Sequence, residues 1–274
     1  MTDSSQPAEA EQAPLPDIDT TVAQSARVWN YWLGGKDNFA VDREMGDQVE
    51  AQFPSIVALA RASRAFQIRA VRYLAGEAGI RQFLDVGTGL PTANNTHEVA
   101  QAVAPESRIV YVESDPMVLA HARVLLISHP LGATAYVDAD ARDSETILRE
   151  AQKTLDLSKP VALIMCGLLA HVPTYDDALG VLHRLLDPLP SGSYFMVSDG
   201  NNTSQEYVEA INTWNQYANP QYHPRSPEQI AGYFEGLELV PPGVVPINHW
   251  HLGDRPADQL PPALPGTVGV GRKP

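Results

Sequence analysis

The segment FLDVGTGLP at residues 83–91 constrains the fold of this chain more than any other. It predicts a buried strand that runs into a glycine turn and then into the start of a helix. Because Gly87 and Gly89 carry no side chains, the backbone of such a turn can come close to a nucleotide-like ligand. Glu113 closes a second apolar strand, at the place where a nucleotide-binding fold hydrogen-bonds a ribose diol. Together these residues predict a nucleoside-containing cofactor.

Two residues of the turn favour one cofactor over another. Dinucleotide dehydrogenases usually carry a third glycine here, and Thr92 occupies that position in this chain. Asp85 adds a carboxylate, which is unfavourable beside a pyrophosphate but suits a cationic amino-acid head group. S-adenosylmethionine carries an ammonium and a sulfonium, so the charge of the turn favours it over NAD.

Short apolar runs alternate with helical patterns from residue 82 onward, which predicts βαβ units and a parallel sheet covered on both faces. The predicted strands are 82–86, 108–112, 134–137, 161–165 and 193–198. The predicted helices between them are 92–103, 116–128, 144–154 and 175–187. Further apolar runs at 237–240, 244–247 and 267–270 have proline-rich connections, which predicts that they are edge strands.

The region before the glycine turn divides into a tail and a helical part. Residues 1–22 are rich in proline, alanine, serine and acids, and we expect them to be disordered. A helix at about 56–75 places Leu59, Phe66 and Ala70 on one side. The other side carries Arg61, Arg64, Arg69 and Arg72. We interpret this arginine face as solvated, because most amphipathic helices expose their charges.

Charge and composition exclude several classes of partner. The net charge of −14 argues against a nucleic-acid partner, which would need clustered Lys and Arg. The single cysteine, Cys166, excludes an intramolecular disulfide and indicates a reducing compartment. The start of the chain lacks the pattern of a signal peptide, and no apolar run has the ~20 residues of a membrane helix. We therefore expect a cytoplasmic protein without a membrane partner; no pattern indicates its oligomeric state.

Titratable residues follow the later strands, at the edge where an open α/β sheet binds its ligands. Asp140, after the third strand, either accepts from the exocyclic amine of an adenine or belongs to a loop of solvated acids. His171, after the fourth, is a candidate general base, with a structural histidine as the alternative. Asp199, after the fifth, either acts on a substrate or caps the following loop.

Other reactive side chains carry less weight. Cys166 is interpreted as a core residue, because no activating partner can be assigned to it. His249 and His251 have the spacing of a minimal metal pair, but no third ligand of matching placement accompanies them. We therefore predict no metal site.

Four segments of the chain resemble one family. They are RVWNYWLGGKDNF at 27–39, FLDVGTGLPT at 83–92, VYVESDP at 110–116 and LELV at 237–240. In their order and spacing they resemble the actinobacterial S-adenosylmethionine-dependent methyltransferases once grouped as a domain of unknown function, DUF574. The resemblance is colinear from about residue 22 to residue 274, which is more specific than any single motif.

The resemblance implies an α/β fold of the Rossmann-like class I methyltransferase type. Its sheet would have seven strands, mostly parallel, with helices on both faces and one antiparallel strand near the C-terminal edge. Residues 23–75 would form an N-terminal helical cap, and residues 76–274 the methyltransferase domain.

The resemblance also implies roles for individual residues. Asp85, Gly87 and Gly89 would contact the amino-acid half of S-adenosylmethionine. Glu113 would hold the ribose, and Asp140 the adenine. The loop at 34–38 would fold over the site, with Tyr31 and Asn38 near the ligand. The full set expected to bind the cofactor is Tyr31, Gly34, Asn38, Asp85, Gly87, Thr88, Gly89, Glu113, Asp140 and Ala141.

The chain departs from the family pattern at two positions. Glu113 stands where the family more often has Asp, which keeps the charge on a longer side chain. The family more often has His at the position of Ala170, so His171 is displaced by one residue, which weakens any inherited role for it.

The first hypothesis for function is direct in-line methyl transfer to a small-molecule acceptor, with His171 or Asp199 accepting a proton. The second is a protein that binds S-adenosylmethionine without catalysis. The third is an NAD(P)-dependent oxidoreductase, which Asp85, Thr92 and the lack of a Tyr-x-x-x-Lys pair after the fourth strand disfavour.

Overall fold

The computed structural model describes residues 18–125, 127–251 and 256–274. In them the chain forms a mixed β-sheet with helices on both faces. The strands are β1 (Ala23–Gln24), β2 (Gln82–Val86), β3 (Arg108–Glu113), β4 (Ala133–Asp138), β5 (Ala162–Cys166), β6 (Tyr194–Gly200), β7 (Ala218–Asn219), β8 (Glu238–Leu239), β9 (Val245–Pro246) and β10 (Gly266–Arg272). The α-helices are α1 (Ser25–Trp32), α2 (Ala40–Gln52), α3 (Ile56–Gly76), α4 (Thr96–Val103), α5 (Pro116–Leu125), α6 (Ser144–Ala151), α7 (Tyr175–Leu186), α8 (Gln205–Tyr217) and α9 (Pro227–Gly232). Single 3-10 turns lie at Leu169–His171 and Ala257–Gln259.

The main sheet has eight strands among the described residues, in the order β4-β3-β2-β5-β6-β10-β8, with β9 also paired to β10. Strands β2 to β6 run parallel to one another, as the βαβ alternation predicts. β10 runs antiparallel to β6, and β8 and β9 pair with the far side of β10. The sheet is therefore mixed.

Two sequence-based expectations for the sheet need correction. The sheet has eight strands rather than seven, because the short strands β8 and β9 both pair with β10. The run at 267–270 is not an edge strand, since β10 pairs with β6 along its full length and with β8 and β9 on its other side. Pro265 and Pro274 stand outside β10, so they remove no hydrogen-bond donor from its interior.

The strand residues alternate between two cores, which explains why both faces carry helices. Phe83 and Ile109 point to one face and pack with buried residues of α1, α2, α3 and α8. Leu84 and Val110, each one residue further along, point to the other face and pack against α6, α7 and α9. Side chains of a strand alternate in this way because the backbone is pleated. The apolar runs of the sequence therefore mark strands buried on both sides.

The observed bounds differ from the predicted ones mainly at helix ends. The five strands predicted between residues 82 and 198 occur within two residues of their predicted bounds. Helix α4 begins at Thr96 rather than at residue 92, because 92–95 form a turn. In it, the Thr92 N–H donates to Asn95 Oδ1 (3.0 Å) and the Asn95 N–H to Glu98 Oε2 (2.7 Å). The sequence predicts that α5 extends to residue 128. The described part of the helix ends at Leu125, and residue 126 lies outside the described residues.

The region before the sheet packs onto the same core as the sheet itself. Buried residues of α1, α2 and α3 form one continuous cluster with residues of β2, β3, β5 and β6. β1 pairs in parallel with β7, which joins the start of the chain to the end of α8. Because the two parts share one core, the division into a helical cap at 23–75 and a methyltransferase domain at 76–274 stays a prediction.

Most of the predicted disordered tail, residues 1–17, lies outside the described residues. Ile18 packs near Leu90 and Met117. The guanidinium of Arg27 donates to the carbonyl oxygens of Asp19 (2.8 Å) and Val22 (2.5 Å). None of the helices in the described ranges is long and apolar enough to cross a membrane.

Candidate cofactor site

A cavity of ≈ 900 Å³ opens at the carboxyl ends of the parallel strands. Parallel strands end at the same edge of a sheet, so the residues that follow β2, β3, β4 and β5 meet there. Residues of α1 and α3 form the opposite wall. The residues predicted from the sequence that line this cavity are Gly87, Thr88, Gly89, Glu113, Asp140, Ala141 and His171.

The glycine turn after β2 forms one wall of the cavity. Gly87 has a φ of +74°, and its N–H donates to the Val112 carbonyl oxygen at 2.9 Å. A Cβ atom on Gly87 would lie 2.8 Å from Leu168 Cδ1, so a larger residue does not fit. Gly89 has a φ of +65°, and a Cβ there would enter open space. The positive φ angles of the turn therefore favour glycine at both positions. At Gly89, the absence of a side chain leaves open space beside the cavity.

Glu113, at the end of β3, is held against this turn. Its Oε2 accepts the Gly89 N–H at 3.1 Å, and its Oε1 accepts those of Ser114 (2.8 Å) and Asp115 (3.2 Å). Burial raises the pKa of Glu113, and the three N–H donors oppose this shift. Each carboxylate oxygen has two acceptor positions, so Oε2 keeps one for the hydroxyl of a ligand.

Asp85 lies behind the cavity wall and is 3% exposed. Thr96 donates to its Oδ2 at 2.6 Å, and Gln67 Nε2 donates to the same oxygen at 3.5 Å. Burial raises the pKa of Asp85 to about 6, while Thr96 and the charge of Arg64 lower it. Gln67 lines the cavity, so it connects the buried carboxylate to the space in front of it.

Asp140, after β4, lies at the other end of the cavity. Its carboxylate forms two hydrogen bonds with Arg142, Nε to Oδ1 at 2.8 Å and Nη2 to Oδ2 at 2.5 Å. Arg142 thereby lowers the pKa of Asp140 and keeps it ionised. Both side chains are largely exposed, and Ala141 lies between them on the cavity wall.

His171 lies beside the cavity in a defined tautomer. Its Nδ1 is 2.8 Å from the Gln221 carbonyl oxygen, which can only accept, so Nδ1 carries the proton. Nε2 therefore presents its lone pair, and the Ser25 hydroxyl donates to it at 3.2 Å. Burial lowers the pKa of His171 to about 4, so the ring is neutral near pH 7.

Besides Asp85, the structure places four more residues of the predicted site outside the cavity wall. Tyr31 packs on Gly46 of α2, and its hydroxyl donates to Asp47 at 2.7 Å. Asn38 donates to Asn30 Oδ1 at 2.9 Å, so it supports a residue that does line the cavity. Gly34 also stands outside the wall, in a turn with a φ of +82°.

Asp199 also lies outside the cavity wall. It is 3% exposed, and neither carboxylate oxygen has a hydrogen-bond partner in the described ranges. Burial raises the pKa of Asp199 to about 8, against the opposing charge of Arg225. Asp199 does not line the cavity, and its catalytic role stays a prediction.

Sequence reasoning missed several residues that line the cavity. They are Ser25, Asn30, Arg64 and Gln67, together with the segment at 219–223. Arg64 corrects the interpretation of the arginine face of α3 as solvated, because part of its guanidinium is buried against the cavity. Gln67 lies three residues after Arg64, on the same helix face, and this spacing was the available signal.

The remaining candidates have structural partners. Cys166 lines the cavity, but burial raises the pKa of its thiol to about 12, so it stays protonated. The Nε2 atoms of His249 and His251 donate to two different carbonyl oxygens, of Pro261 (2.7 Å) and Pro241 (2.8 Å). No group of three potential metal ligands occurs among the described residues.

The cavity fits a nucleoside cofactor that carries an amino-acid head group. An open α/β sheet with a glycine turn after one strand and an acid after the next defines a Rossmann-like nucleoside-binding protein. Gly89 leaves open space for a ligand beside its backbone, and Glu113 provides a hydrogen-bond acceptor for a ribose. Asp85 and Arg64 provide one negative and one positive charge.

Comparison with known proteins identifies the family. The family model described as S-adenosyl methyltransferase matches residues 11–274, and this chain belongs to that family. Its methyl donor is S-adenosylmethionine, as the charge of the glycine turn predicted. No curated protein matches the sequence significantly.

Solved structures agree with this assignment. A DUF574 family protein from Streptomyces avermitilis is 45% identical, with a TM-score of 0.89, over 94% of this chain and 100% of that one. A provisionally assigned methyltransferase from Thermobifida fusca is 39% identical, with a TM-score of 0.85, over 96% of this chain and 99% of that one. An O-methyltransferase family protein from Burkholderia thailandensis is similar in fold, at 14% identity, a TM-score of 0.51, and 83% and 62% coverage. The protein is an S-adenosylmethionine-dependent methyltransferase.

Proposed function

We propose that the protein transfers the methyl group of S-adenosylmethionine to a hydroxyl of a small-molecule acceptor, with His171 as the proton acceptor. The observation that carries this proposal is the neutral His171 ring, whose Nε2 lone pair is presented to a hydroxyl beside the cofactor cavity. The cavity, at ≈ 900 Å³, has room for a cofactor and a small acceptor together.

The cofactor residues are those that line the strand ends. Gly87, Thr88 and Gly89 would hold the amino-acid half, Glu113 the ribose hydroxyls, and Asp140 with Ala141 the adenine. This assignment is supported by the order of the strands, since β2, β3 and β4 are neighbours in the sheet and their carboxyl ends form one continuous wall. When bound, the sulfonium supplies an already activated methyl group.

The chain then has to position the acceptor and exclude water. Residues of α1 and the segment at 219–223 enclose the side of the cavity where His171 lies. Holding two reactants in line supplies about 7–11 kcal/mol in well-oriented intramolecular systems, so positioning is the larger contribution. His171 adds a lone pair that takes the acceptor proton as the oxygen–carbon bond forms. The Gln221 carbonyl holds the proton on Nδ1 and so keeps the lone pair on Nε2.

A small-molecule acceptor is supported by the shape and charge of the site. The cavity is a recess bounded by α1, α3 and the strand ends, and large polymers do not enter such a recess. The net charge of −14 is unfavourable for nucleic acid.

Cofactor binding is tested by calorimetric titration of S-adenosylhomocysteine into the purified protein and into Glu113→Ala and Glu113→Gln variants. We expect saturable binding with a Kd of about 1 µM, or about −8 kcal/mol, for the natural protein. Glu113→Ala should lose most of this affinity, and Glu113→Gln, which preserves the shape of the side chain, should lose less. No heat at any concentration would sink the proposed site.

The acceptor class is tested by transfer of a radiolabelled methyl group to a panel of small phenols, alcohols and amines. We expect label only in hydroxyl compounds. Label confined to amines would overturn the role given to His171 but would leave the cofactor site standing.

A further inference from the structure

Arg64 is a half-buried cation at the cavity wall that the assignments above leave without a role. Its Nη2 donates to the carbonyl oxygens of Ala93 (3.1 Å) and Asn94 (2.8 Å), and its Nη1 donates to Gln67 Oε1 at 2.9 Å. Its Nε is buried and has no hydrogen-bond partner in the part of the chain that the structure describes. A buried donor without a partner is unfavourable, so this atom marks a place for an acceptor.

The other two arginines of the cavity wall differ from Arg64 in their pairing. Arg27 forms an ion pair with Asp42, and Arg142 forms one with Asp140. Arg64 has no carboxylate within ion-pair distance among the described residues, although it lies close enough to Asp85 to lower the pKa of that acid. Among these three arginines of the cavity wall, Arg64 is therefore the one whose positive charge can pair with an anionic group of a bound ligand.

Arg64 lies at one particular end of the cavity. The charge that acts on it most strongly is that of Asp85, near the carboxyl end of β2. Asp140, the proposed adenine contact, follows β4, which is separated from β2 by β3. Arg64 is thus near the glycine turn and away from the adenine end.

We infer that Arg64 binds the α-carboxylate of the methionine half of the cofactor, an inference that rests on the proposed cofactor site. The methionine half carries one carboxylate and one ammonium, and this end of the cavity offers one guanidinium and, behind Gln67, one carboxylate. A guanidinium matches a carboxylate because its N–H groups form a planar fork. Gln67 bridges Arg64 and Asp85 and so fixes the spacing between the two charges.

Three ligands separate this role from a general structural one. S-adenosylhomocysteine carries the whole amino-acid half, S-adenosyl-3-thiopropylamine keeps the amine but lacks the carboxylate, and 5′-methylthioadenosine lacks both groups. Their Kd values are measured by calorimetry for the natural protein and for Arg64→Gln, Arg64→Lys and Arg61→Gln. Arg61 lies on the same helix, is exposed and does not line the cavity, so its variant is the matched control for charge.

Arg64→Gln is expected to weaken S-adenosylhomocysteine by about 10- to 100-fold, the range for a hydrogen bond to a charged group. It should leave the other two ligands within about twofold, because they offer no carboxylate to lose. Arg64→Lys should recover part of the loss, since it keeps the charge without the fork. Arg61→Gln should change none of the three.

Equal weakening of all three ligands by Arg64→Gln would overturn the inference, because it would show that Arg64 acts by holding the carbonyls of Ala93 and Asn94. Unchanged binding of S-adenosylhomocysteine would overturn it as well. Failure of the natural protein to bind S-adenosylhomocysteine is a separate outcome, which would overturn the cofactor site and with it this inference.

Discussion

Ser25 Oγ lies 3.2 Å from His171 Nε2, so in the proposed mechanism a hydroxyl of the first helix occupies the position at which an acceptor hydroxyl would give up its proton. The serine comes from α1 and the histidine from the turn after β5, and the contact joins opposite walls of the cavity. An acceptor that reaches His171 has to displace this hydroxyl.

The first prediction concerns the rate of transfer. His171→Gln should lower kcat by about 10²- to 10⁴-fold, the usual contribution of a general base, because no other described group at Nε2 can take the proton. The Kd for S-adenosylhomocysteine should stay within about twofold. Ser25→Ala serves as control, since it removes the competing hydroxyl and should not lower kcat. An unchanged kcat in His171→Gln would rule out the proposed base.

The second prediction concerns the protonation of the same ring. Because burial lowers the pKa of His171 to about 4, its imidazole should stay neutral until the pH approaches that value. A proton NMR titration of the histidine resonances, assigned with the His171→Gln variant, should show a midpoint near pH 4 for this residue. Accordingly, kcat should be independent of His171 protonation between about pH 5.5 and 8. A midpoint near 6.5 would contradict the buried, hydrogen-bonded geometry.

The third prediction concerns how cofactor affinity depends on pH. Burial raises the pKa of Asp85 to about 6, so this carboxyl is neutral below pH 6 and negative above it. A negative Asp85 attracts the ammonium of the cofactor, and affinity for S-adenosylhomocysteine should therefore fall as the pH is lowered through about 6. The Asp85→Asn variant should lose this step. 5′-Methylthioadenosine, which has no ammonium, should not show the step even with the natural protein; a step of equal size there would assign it to another group.

The fourth prediction concerns the buried ion pair above the cavity. Arg27 Nε lies 3.0 Å from Asp42 Oδ2, and the two side chains are 2% and 0% exposed. Arg27→Met leaves a buried carboxylate without its cation, which should lower the free energy of unfolding by about 3–5 kcal/mol. Urea denaturation measures the loss, with Arg43→Met, an exposed arginine of α2, as control.

Replacing both partners should recover only part of that loss. Asp42 also accepts the backbone N–H groups of Gln24 (3.0 Å) and Phe39 (2.8 Å), so an apolar residue at 42 leaves two donors unpaired. Full recovery in an Arg27→Met/Asp42→Leu variant would show that these two backbone contacts add nothing.

The fifth prediction concerns Asp199. Its pKa is 3.8 in the unfolded chain and about 8 when buried, so between these pH values the folded protein holds a proton that the unfolded chain releases. This contribution to stability is present in full below pH 3.8 and is lost as the pH rises through about 8. Asp199→Asn mimics the protonated form, so its advantage over the natural protein should grow from pH 5 to pH 8.

Thermal unfolding at the two pH values provides the measurement. Each 1 kcal/mol corresponds to a shift in Tm of about 2–4 °C for a domain of this size. Because Asp199 does not line the cavity, the variant should bind S-adenosylhomocysteine like the natural protein. Loss of binding in a stable variant would return Asp199 to the list of site residues.

The sequence predicted the central strands more accurately than it predicted the residues of α1, α3 and 219–223 that line the cavity. The difference has a physical reason. Strands β2, β3, β5 and β6 are buried on both faces, so each appears as an apolar run bounded by turn residues. β10 was placed at an edge because prolines surround it, and its true place depends on pairing with β6, a distant segment. Such long-range pairings leave no local pattern.

The site divides in the same way. Gly87, Gly89 and Glu113 are fixed by local geometry at strand ends, and the structure places all three on the cavity wall. Ser25 and Arg64 come from helices whose rotation depends on packing against the sheet, and helical periodicity could not tell a solvated arginine from one that faces a cavity. Tyr31 was expected near the ligand for its place in a motif, yet its ring packs on Gly46 of α2.

The pairing of β1 with β7 determines when the cavity can form during synthesis. Residues 23 and 24 find their partners only at 218 and 219, and the cavity wall at 219–223 follows directly. A nascent chain that has not passed residue 223 can build the glycine turn and its neighbouring strands but lacks a complete enclosure. Contacts between segments so distant in sequence form slowly, because much of the chain loses conformational entropy before these contacts stabilise it. A chain truncated before β7 should therefore lack the cavity wall at 219–223 and bind the cofactor more weakly than the natural protein.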